Sequence, residues 1–372
     1  MEWSFWERET WLARLDYVII GSGIVGLNAA LALRKSEPEA RILILEKGQL
    51  PQGASTKNAG FACFGSVSEL LSDLNSHTES EVAELVEQRY KGILALRKLL
   101  GDENLNFQNH GGHEVFLSHQ QDSYRNCLER LPYLNNLLRP IFKSDPFKVN
   151  PNRFGFEGIC NQYFTQTFEG QIHTGNMMAA LLKRAHAADI KILNQVRVNG
   201  YEEDADGVRV FADGFECRCS KLLWATNGFS KALIGEPVAP ARAQVLVTHP
   251  IPDLKIKGTF HLESGYYYFR NIGNRILLGG GRNLDFKAEE TTEFGLTPLV
   301  QDRLQTLLRE VILPHTSFSI DQRWSGIMGV GPQKAPLIKK LSEHVSCGIR
   351  LGGMGVAIGS YTGQMLAKIA KK

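Results

Sequence analysis

The 372-residue chain contains no apolar run approaching the length of a membrane span, and no signal-peptide core precedes its first strand. It is therefore expected to be cytoplasmic, neither secreted nor membrane-spanning. Its six cysteines are Cys63, Cys127, Cys160, Cys217, Cys219 and Cys347, and none falls in the paired spacing of a zinc site or a redox motif. They read as reduced thiols, with Cys217 and Cys219 alternating along a half-buried strand. The formal charge is only +3, with Lys and Arg interspersed among Asp and Glu, which gives no reason to expect a nucleic-acid partner. His110 and His113 flank Gly111-Gly112, a loop pattern rather than a ligand pair, and no metal site is expected. Internal repeats and low-complexity segments are missing too.

What the chain does have is concentrated at its start. An apolar strand, Asp16 to Ile20, runs into Gly21-Ser22-Gly23-Ile24-Val25-Gly26. A helix follows over Leu27 to Lys35, then a second buried strand over Arg41 to Leu45, closed by Glu46 and Lys47. Gly21 permits the tight turn, Gly23 lets backbone approach a pyrophosphate, and Gly26 allows helix to pack on strand. Glu46 is placed to hydrogen-bond a ribose. NAD and FAD both fit this unit.

Such a length favours two domains. After Glu46, the small-residue stretch Gly53 to Phe61 reads as a ligand-lining loop. Helical regions are expected over Ser66 to Leu100 and Gln120 to Arg139, with a strand at His113 to Ser118 between them. Further on come a helix over Met177 to Ala188, a strand over Ile190 to Val196, and a hairpin across Val208 to Phe211 and Phe215 to Cys219. A strand over Lys221 to Ala225 then ends in Thr226-Asn227-Gly228. Prolines 237, 240, 250 and 252 mark a domain crossing near Glu236, followed by an antiparallel meander over Ala243 to Thr248, Tyr266 to Arg270 and Arg275 to Leu278. A helix over Pro298 to Val311 leads to the C-terminal piece, where Gly352 to Gly359 precedes a helix from Ser360 to Ala370. Backbone N–H groups there supply positive dipoles suited to a negatively charged group. The fold class is α/β, a Rossmann-like nucleotide-binding domain over 1–85, 150–236 and 320–372, with a second, α+β substrate domain on an antiparallel sheet over 86–149 and 237–319. The aromatic cluster Trp3 to Trp11 is expected to form a short helix packed on the body.

With these pieces in order, the chain resembles the D-amino-acid oxidase family of FAD-dependent oxidoreductases, the group containing glycine oxidase and monomeric sarcosine oxidase. The carriers are Gly21-x-Gly23-x-x-Gly26 with Glu46, the loop Gly53 to Gly60, Ala225 to Gly228, and Gly353-x-Gly355. Asn58-Ala59-Gly60, Asn227-Gly228 and the segment Trp3 to Trp11 are similar to the gamma-glutamylputrescine oxidase branch. The resemblance implies FAD. Gly21, Ser22, Gly23, Ile24 and Gly26 would meet the pyrophosphate, with Glu46 and Lys47 at the ribose. Ala54, Ser55 and Thr56 would serve the phosphate or ribityl chain, and Val196 would meet the adenine through its backbone. Lys57, Asn58, Ala59 and Gly60 would border the flavin. Ala225, Thr226, Asn227 and Gly228 would line it from the other side, and Gly353, Met354, Gly355, Val356 and Ala357 would approach its pyrimidine end. The Cys or His through which some relatives attach flavin is missing from Ser325 to Val330 and from the loop, so the FAD is expected to be non-covalent. Cys63 is the one thiol close enough to upset that.

The implied chemistry is hydride removal from the carbon beside an amine, leaving an imine that water hydrolyses. The substrate amine must be neutral, and no side-chain base is nominated. Tyr268, Arg270, Met328 and Lys334 are the candidate substrate-side residues, with Tyr267, Arg323 and Trp324 near them and Arg270 a possible carboxylate clamp. Met328 and Met354 stand where glycine-oxidase-like proteins carry basic residues, which favours an amine or N-alkylated amino acid over a simple α-amino acid. The partners expected are that small molecule and an electron acceptor such as dioxygen. Two alternatives stay open, a catalytically silent FAD-binding scaffold and a nicotinamide-reduced flavoprotein. The second is disfavoured by the single dinucleotide fingerprint.

Overall fold

Leu15–Ile20 is apolar on both faces apart from Asp16, and it is buried accordingly at the centre of a parallel sheet. In the computed structural model, which describes residues 2–371, it pairs in parallel with Ile42–Leu45 on one side and Phe215–Trp224 on the other. Lys191–Leu193 and Val345–Ile349 extend the sheet in parallel, and Leu337–Lys340 closes it antiparallel. The expected strands at 215–219 and 221–225 are one strand, because its first half pairs antiparallel with Gly207–Ala212 while its second half pairs in parallel with Leu15–Ile20.

Helix Gly355–Ala370 packs on Ile24–Ser36 so closely that a Cβ on Gly363 would stand 2.6 Å from the Val25 carbonyl oxygen. The expected start at Ser360 is therefore five residues late. Gly355 opens the helix and Gly359 lies inside it, where burial against Ile24 outweighs its weak propensity. The helical region expected over 66–100 is broken in two, Val67–Asp73 and Glu79–Leu100, because Ser66/Glu69 and Thr78/Glu81 form separate capping boxes.

The second sheet has eight strands in the order Ile320–Val330, Ala239–Thr248, Arg275–Gly280, Tyr267–Ile272, Thr259–Leu262, Gly112–Val115, Gln162–Gln166, Phe147–Pro151. All its pairings are antiparallel except Thr259–Leu262 with Gly112–Val115. Pairing thus carries Gln162–Gln166 and Ile320–Val330 into this sheet, although their sequence neighbours build the nucleotide-binding layer. His113 lies on a strand, not a loop, buried with its Nδ1 2.9 Å from the Thr165 hydroxyl.

At the N-terminus, Ser4 caps a turn of helix over Phe5–Glu7, continued by a wider turn over Arg8–Leu12. Packing is only partial. Trp3 meets Phe215 edge to face at 5.2 Å, while Phe5 and Trp6 stay 67% and 75% exposed. All six cysteines are free and buried, Cys217 and Cys219 included. No helix among the described residues is long and apolar enough to cross a membrane.

Candidate functional site

The C-terminal ends of four strands of the parallel sheet, at Ile20, Leu45, Trp224 and Ile349, converge on a cavity of about 1230 Å³ whose far wall is the second sheet. Open parallel sheets bind ligands at this edge. The turn after Ile20 is shaped by Gly21, whose φ of 101° is left-handed and whose Cβ would lie 3.0 Å from the Ala225 carbonyl oxygen. Gly23 caps helix Ile24–Ser36, and Ile24 N–H donates to Ser55 Oγ at 2.9 Å. A Cβ on Gly26 would come within 2.0 Å of the Gly21 carbonyl oxygen, so this glycine sets the fit of helix against turn. Glu46 locks the turn from the neighbouring strand. Its Oε2 accepts Ser22 N–H at 3.0 Å and Ser22 O–H at 2.9 Å, and its Oε1 accepts Gly48 N–H at 3.0 Å. Lys47 Nζ sits 3.4 Å from the Phe229 ring centroid, and burial lowers its pKa.

Gly21, Gly23, Ile24, Glu46, Lys47, Ala54, Ser55, Lys57, Asn58 and Ala59 all reach the cavity wall. Ser22, Gly26, Thr56, Gly60, Gly228 and Ala357 stand behind it and act on shape. The Thr56 hydroxyl donates to Pro51 O at 2.7 Å, away from any phosphate. Asn58 braces its own loop, donating to Ser55 O at 2.8 Å and accepting from Gly60 N–H at 2.8 Å. Val196 lines the cavity, but its N–H is committed to Glu46 O, leaving only its carbonyl for a base.

Opposite, Ala225, Thr226 and Asn227 continue the wall. Asn227 Oδ1 accepts the N–H groups of Arg350 and Leu351 at 3.0 and 3.2 Å, which ties this turn to the segment leading into helix Gly355–Ala370. A Cβ on Gly228 would strike the Met328 carbonyl at 2.3 Å, so the turn also abuts strand Ile320–Val330. Gly353, Met354, Gly355 and Val356 line the cavity, and the first N–H of that helix to bond back is Ile358, onto Met354 O. The helix thus offers its free N-terminal donors here. Added Cβ atoms on Gly53, Gly352 and Gly353 meet nothing within 4 Å, leaving backbone open to a ligand on both sides.

Tyr268 and Met328 on the second sheet, and Lys334 in the connection after it, line the cavity. Lys334 is paired with Asp73 at 2.6 Å. Arg270 is not on the wall. It is buried, with Nη2 donating to Ile172 O at 3.0 Å, Nε unpartnered and its pKa lowered by burial to about 10. The carboxylate-clamp expectation therefore fails on geometry. Strand alternation puts residue 270 on the cofactor-facing side, but the Phe61–Ala62 and Gly170–Gln171 pairing covers it. Trp324 is turned to the loop, its Nε1 donating to Lys57 O at 2.9 Å.

Sequence reasoning missed Glu69, Asp73, Arg89 and His261 on this wall. The pattern Ser66-x-x-Glu69 reads as a cap, and nothing local marks the others. Cys63 is on the wall too, with Sγ 3.2 Å from Met354 Sδ, and burial pushes its thiol well up. Behind them, burial raises Glu169 to about 8 and Glu114 to about 7 despite the N–H and hydroxyl groups they accept from Phe64, Gly65, Ser66 and Ser68. Among the described residues no cluster of His, Cys, Asp and Glu is grouped to hold a metal.

Comparison with known proteins agrees with this geometry. The chain is 22% identical over 380 residues to a probable oxidoreductase, OrdL, from Rhizobium meliloti (strain 1021), covering 96% of this chain and 83% of the relative. It is 23% identical over 365 residues to glycine oxidase from Geobacillus kaustophilus (strain HTA426), covering 95% and 89%. The crystal structure of glycine oxidase from Geobacillus kaustophilus superposes with a TM-score of 0.75 at 17% identity, over 96% of this chain and 95% of that one. L-proline dehydrogenase from P. horikoshii also gives 0.75, at 15% identity over 95% and 92%. The model of the family described as FAD dependent oxidoreductase, DAO, matches residues 16–369. The chain belongs to the DAO family of FAD-dependent oxidoreductases, and FAD is its cofactor.

Proposed function

We propose that this oxidoreductase breaks the C–N bond of an amine or N-alkylated amino acid by hydride transfer to FAD, with water hydrolysing the imine product. The observation that carries the reading is the continuity of one cavity, from the Gly21–Gly26 turn and Glu46 to an end walled by Phe61, Tyr268, Met328 and Met354. The nucleotide half would be held by Gly23, Ser55, Lys47 and Glu46, and the ring by Lys57 to Ala59 and the free N–H groups at Gly355 and Val356. When bound, FAD supplies the electron-pair acceptor.

The chain's own residues bind and orient the substrate and keep bulk water away. Several cations on the substrate wall already have a partner, while Arg89 keeps Nε unpartnered and Arg282 meets only the Tyr266 and Phe286 rings. Arg89 donates to Phe64 O at 2.6 Å, Lys334 pairs with Asp73, and Arg350 donates to Ala335 O at 3.2 Å. With two methionines beside them, this favours an amine over a simple α-amino acid. The raised thiol pKa of Cys63 supports non-covalent FAD, since the thiolate is the nucleophile.

Anaerobic mixing with glycine, N-methylglycine, L-proline, n-butylamine and benzylamine tests the reading. Bleaching of the flavin by one of these supports it. Bleaching by reduced nicotinamide alone, or by nothing, overturns it. Peroxide formation on admitting air would identify dioxygen as the acceptor. Acid precipitation is expected to leave the FAD in the supernatant.

A further inference from the structure

We propose that His261, which shares a cavity wall with Glu69, accepts the proton that the substrate's ammonium group must lose before its carbon is oxidised. This rests on the C–N oxidation reading and adds to it a residue that touches substrate.

His261 is the one histidine among the described residues on the cavity wall. It is 7% exposed, and neither ring nitrogen is hydrogen-bonded to a described residue, with Nε2 fully enclosed and unpartnered. A buried imidazole without a partner is unusual, because each unmet polar group costs free energy. Its ring meets Phe61 edge to face at 5.4 Å, and Phe61 follows directly on the Lys57–Gly60 loop expected to border the flavin. In register, His261 lies opposite Tyr268 on one side and Glu114 on the other. It therefore stands at the reacting end of the cavity.

Glu69 comes to this end from helix Val67–Asp73. Its Oε2 accepts Ser66 N–H at 3.1 Å, while Oε1 accepts no hydrogen bond from a described residue and abuts Gly265. The groups around the pair leave Glu69 charged and His261 neutral. Burial raises the Glu69 carboxyl, but the protonated form of His261, Lys334, the Ser66 amide and Arg89 outweigh it and hold the pKa below its ordinary value. Burial lowers the His261 imidazole, and the Glu69 carboxylate is the charge that opposes this. Glu114, the next carboxyl, is pushed up to about 7, and Tyr268, pushed up to about 12, stays protonated.

With Nε2 enclosed, Nδ1 is the ring nitrogen left to take a proton from the cavity, and the carboxylate on the same wall stabilises the imidazolium that results. In the step, an N–H bond of the ammonium breaks and an imidazole N–H bond forms. No electrons leave the substrate, which becomes a neutral amine. Hydride loss from the adjacent carbon then gives an iminium, and the imidazolium later returns its proton to water.

The test uses the yellow holoenzyme, His261→Gln and Glu69→Gln. The glutamine at 69 keeps the capping box, and retained FAD with parental circular dichroism shows that each variant folds. The probe is whichever panel amine bleaches the parent fastest. The apparent second-order bleaching rate of the parent should level off above the imidazole's own titration. In His261→Gln it should be about 10³-fold lower at pH 7 and climb tenfold per pH unit towards the amine's own pKa, meeting the parent near pH 10. Glu69→Gln should move the parent's acidic limb to lower pH.

Independently of turnover, the imidazole NMR signal lost in His261→Gln should titrate below the ordinary histidine value in the parent, and lower still in Glu69→Gln. Superimposable pH profiles of the parent and His261→Gln, or an imidazole signal indifferent to Glu69→Gln, would overturn the proposal while leaving C–N oxidation intact. Failure of every amine to bleach the parent overturns that underlying reading, and the proposal with it.

Discussion

Replacing Glu46 by glutamine probes whether the nucleotide turn is pre-built. The carboxylate is 6% exposed and accepts three hydrogen bonds, two from Ser22 and one from Gly48. Glutamine has nearly the same shape but only one acceptor oxygen. If that oxygen serves Ser22, the amide nitrogen faces the Gly48 N–H, donor against donor; if it serves Gly48, two Ser22 donors are stranded. The better arrangement loses one charge-assisted bond of about 2 kcal/mol and weakens two others by about 0.5–1 kcal/mol each, roughly 3–4 kcal/mol in all. Because Gly21–Gly23 is held open for ligand by these bonds, FAD must then order the turn as it binds, and its affinity should fall by up to about 10²-fold. Fluorescence titration of cofactor-free protein with FAD measures this, alongside the 450 nm to 280 nm absorbance ratio of purified samples. A Glu46→Gln protein that binds FAD within threefold of the parent would refute the claim that this carboxylate pre-organises the site.

Gly26→Ala places a methyl group within 2.0 Å of the Gly21 carbonyl oxygen, whereas Gly200→Ala, away from the cavity, meets nothing within 4 Å. The first should yield colourless or insoluble protein and the second near-parental absorbance at 450 nm, since overpacking against backbone costs about 1–3 kcal/mol or more. Lys334→Ala removes an ion pair to Asp73 in which the lysine is 47% exposed, and its unfolding free energy should stay within about 1 kcal/mol of the parent. Glu169 sets a pH dependence. Its carboxyl titrates near 8 in the folded protein, against 4.5 as its ordinary value. Both states are protonated below pH 4.5. Between 4.5 and 8 the folded state holds a proton that the unfolded chain releases, so this group's stabilisation is lost as pH rises through that window, by at most about 1.4 kcal/mol per unit. Urea unfolding of cofactor-free protein at pH 5, 6.5 and 8 should show a smaller decline in Glu169→Gln than in the parent, and an equal or steeper one would contradict the assignment.

The nucleotide-binding half was legible because its determinants are local. Gly21, Gly23, Gly26 and Glu46 fall within one strand–helix–strand unit whose spacing is set by the ligand itself, and the turn at Ala225–Asn227 and the glycines at 353 and 355 announce themselves as breaks after apolar strands. The second half was less so. Tyr268 was found because it lies in an aromatic strand, but the same alternation nominated Arg270, which a short two-stranded pairing over Phe61–Ala62 hides from the cavity. His261 and Glu69 carry no local signal. One sits on a four-residue strand and the other in a capping box, and only the pairing of Thr259–Leu262 with its neighbours brings them to one place. The start of the last helix was misplaced because glycines normally discourage a helix, whereas at Gly359 and Gly363 close packing on Ile24–Ser36 overrides propensity.

This division has a consequence for how the family diversifies. The FAD half depends on backbone approach and on a carboxylate satisfied by backbone donors, and few substitutions there keep the turn. The facing wall is made by side chains on a sheet whose backbone pairing does not depend on their identity. Exchange of a side chain such as Met328 alters the cavity while the strand stays in register with Ala241. Relatives 22–23% identical over nearly the whole chain can therefore keep the fold while the facing wall changes. The specificity of the present chain is therefore expected to reside in the few wall positions not assigned to the cofactor, Cys63, Glu69, His261, Tyr268 and Met328. Exchanges there should change which amine bleaches the flavin before they change how tightly FAD is held.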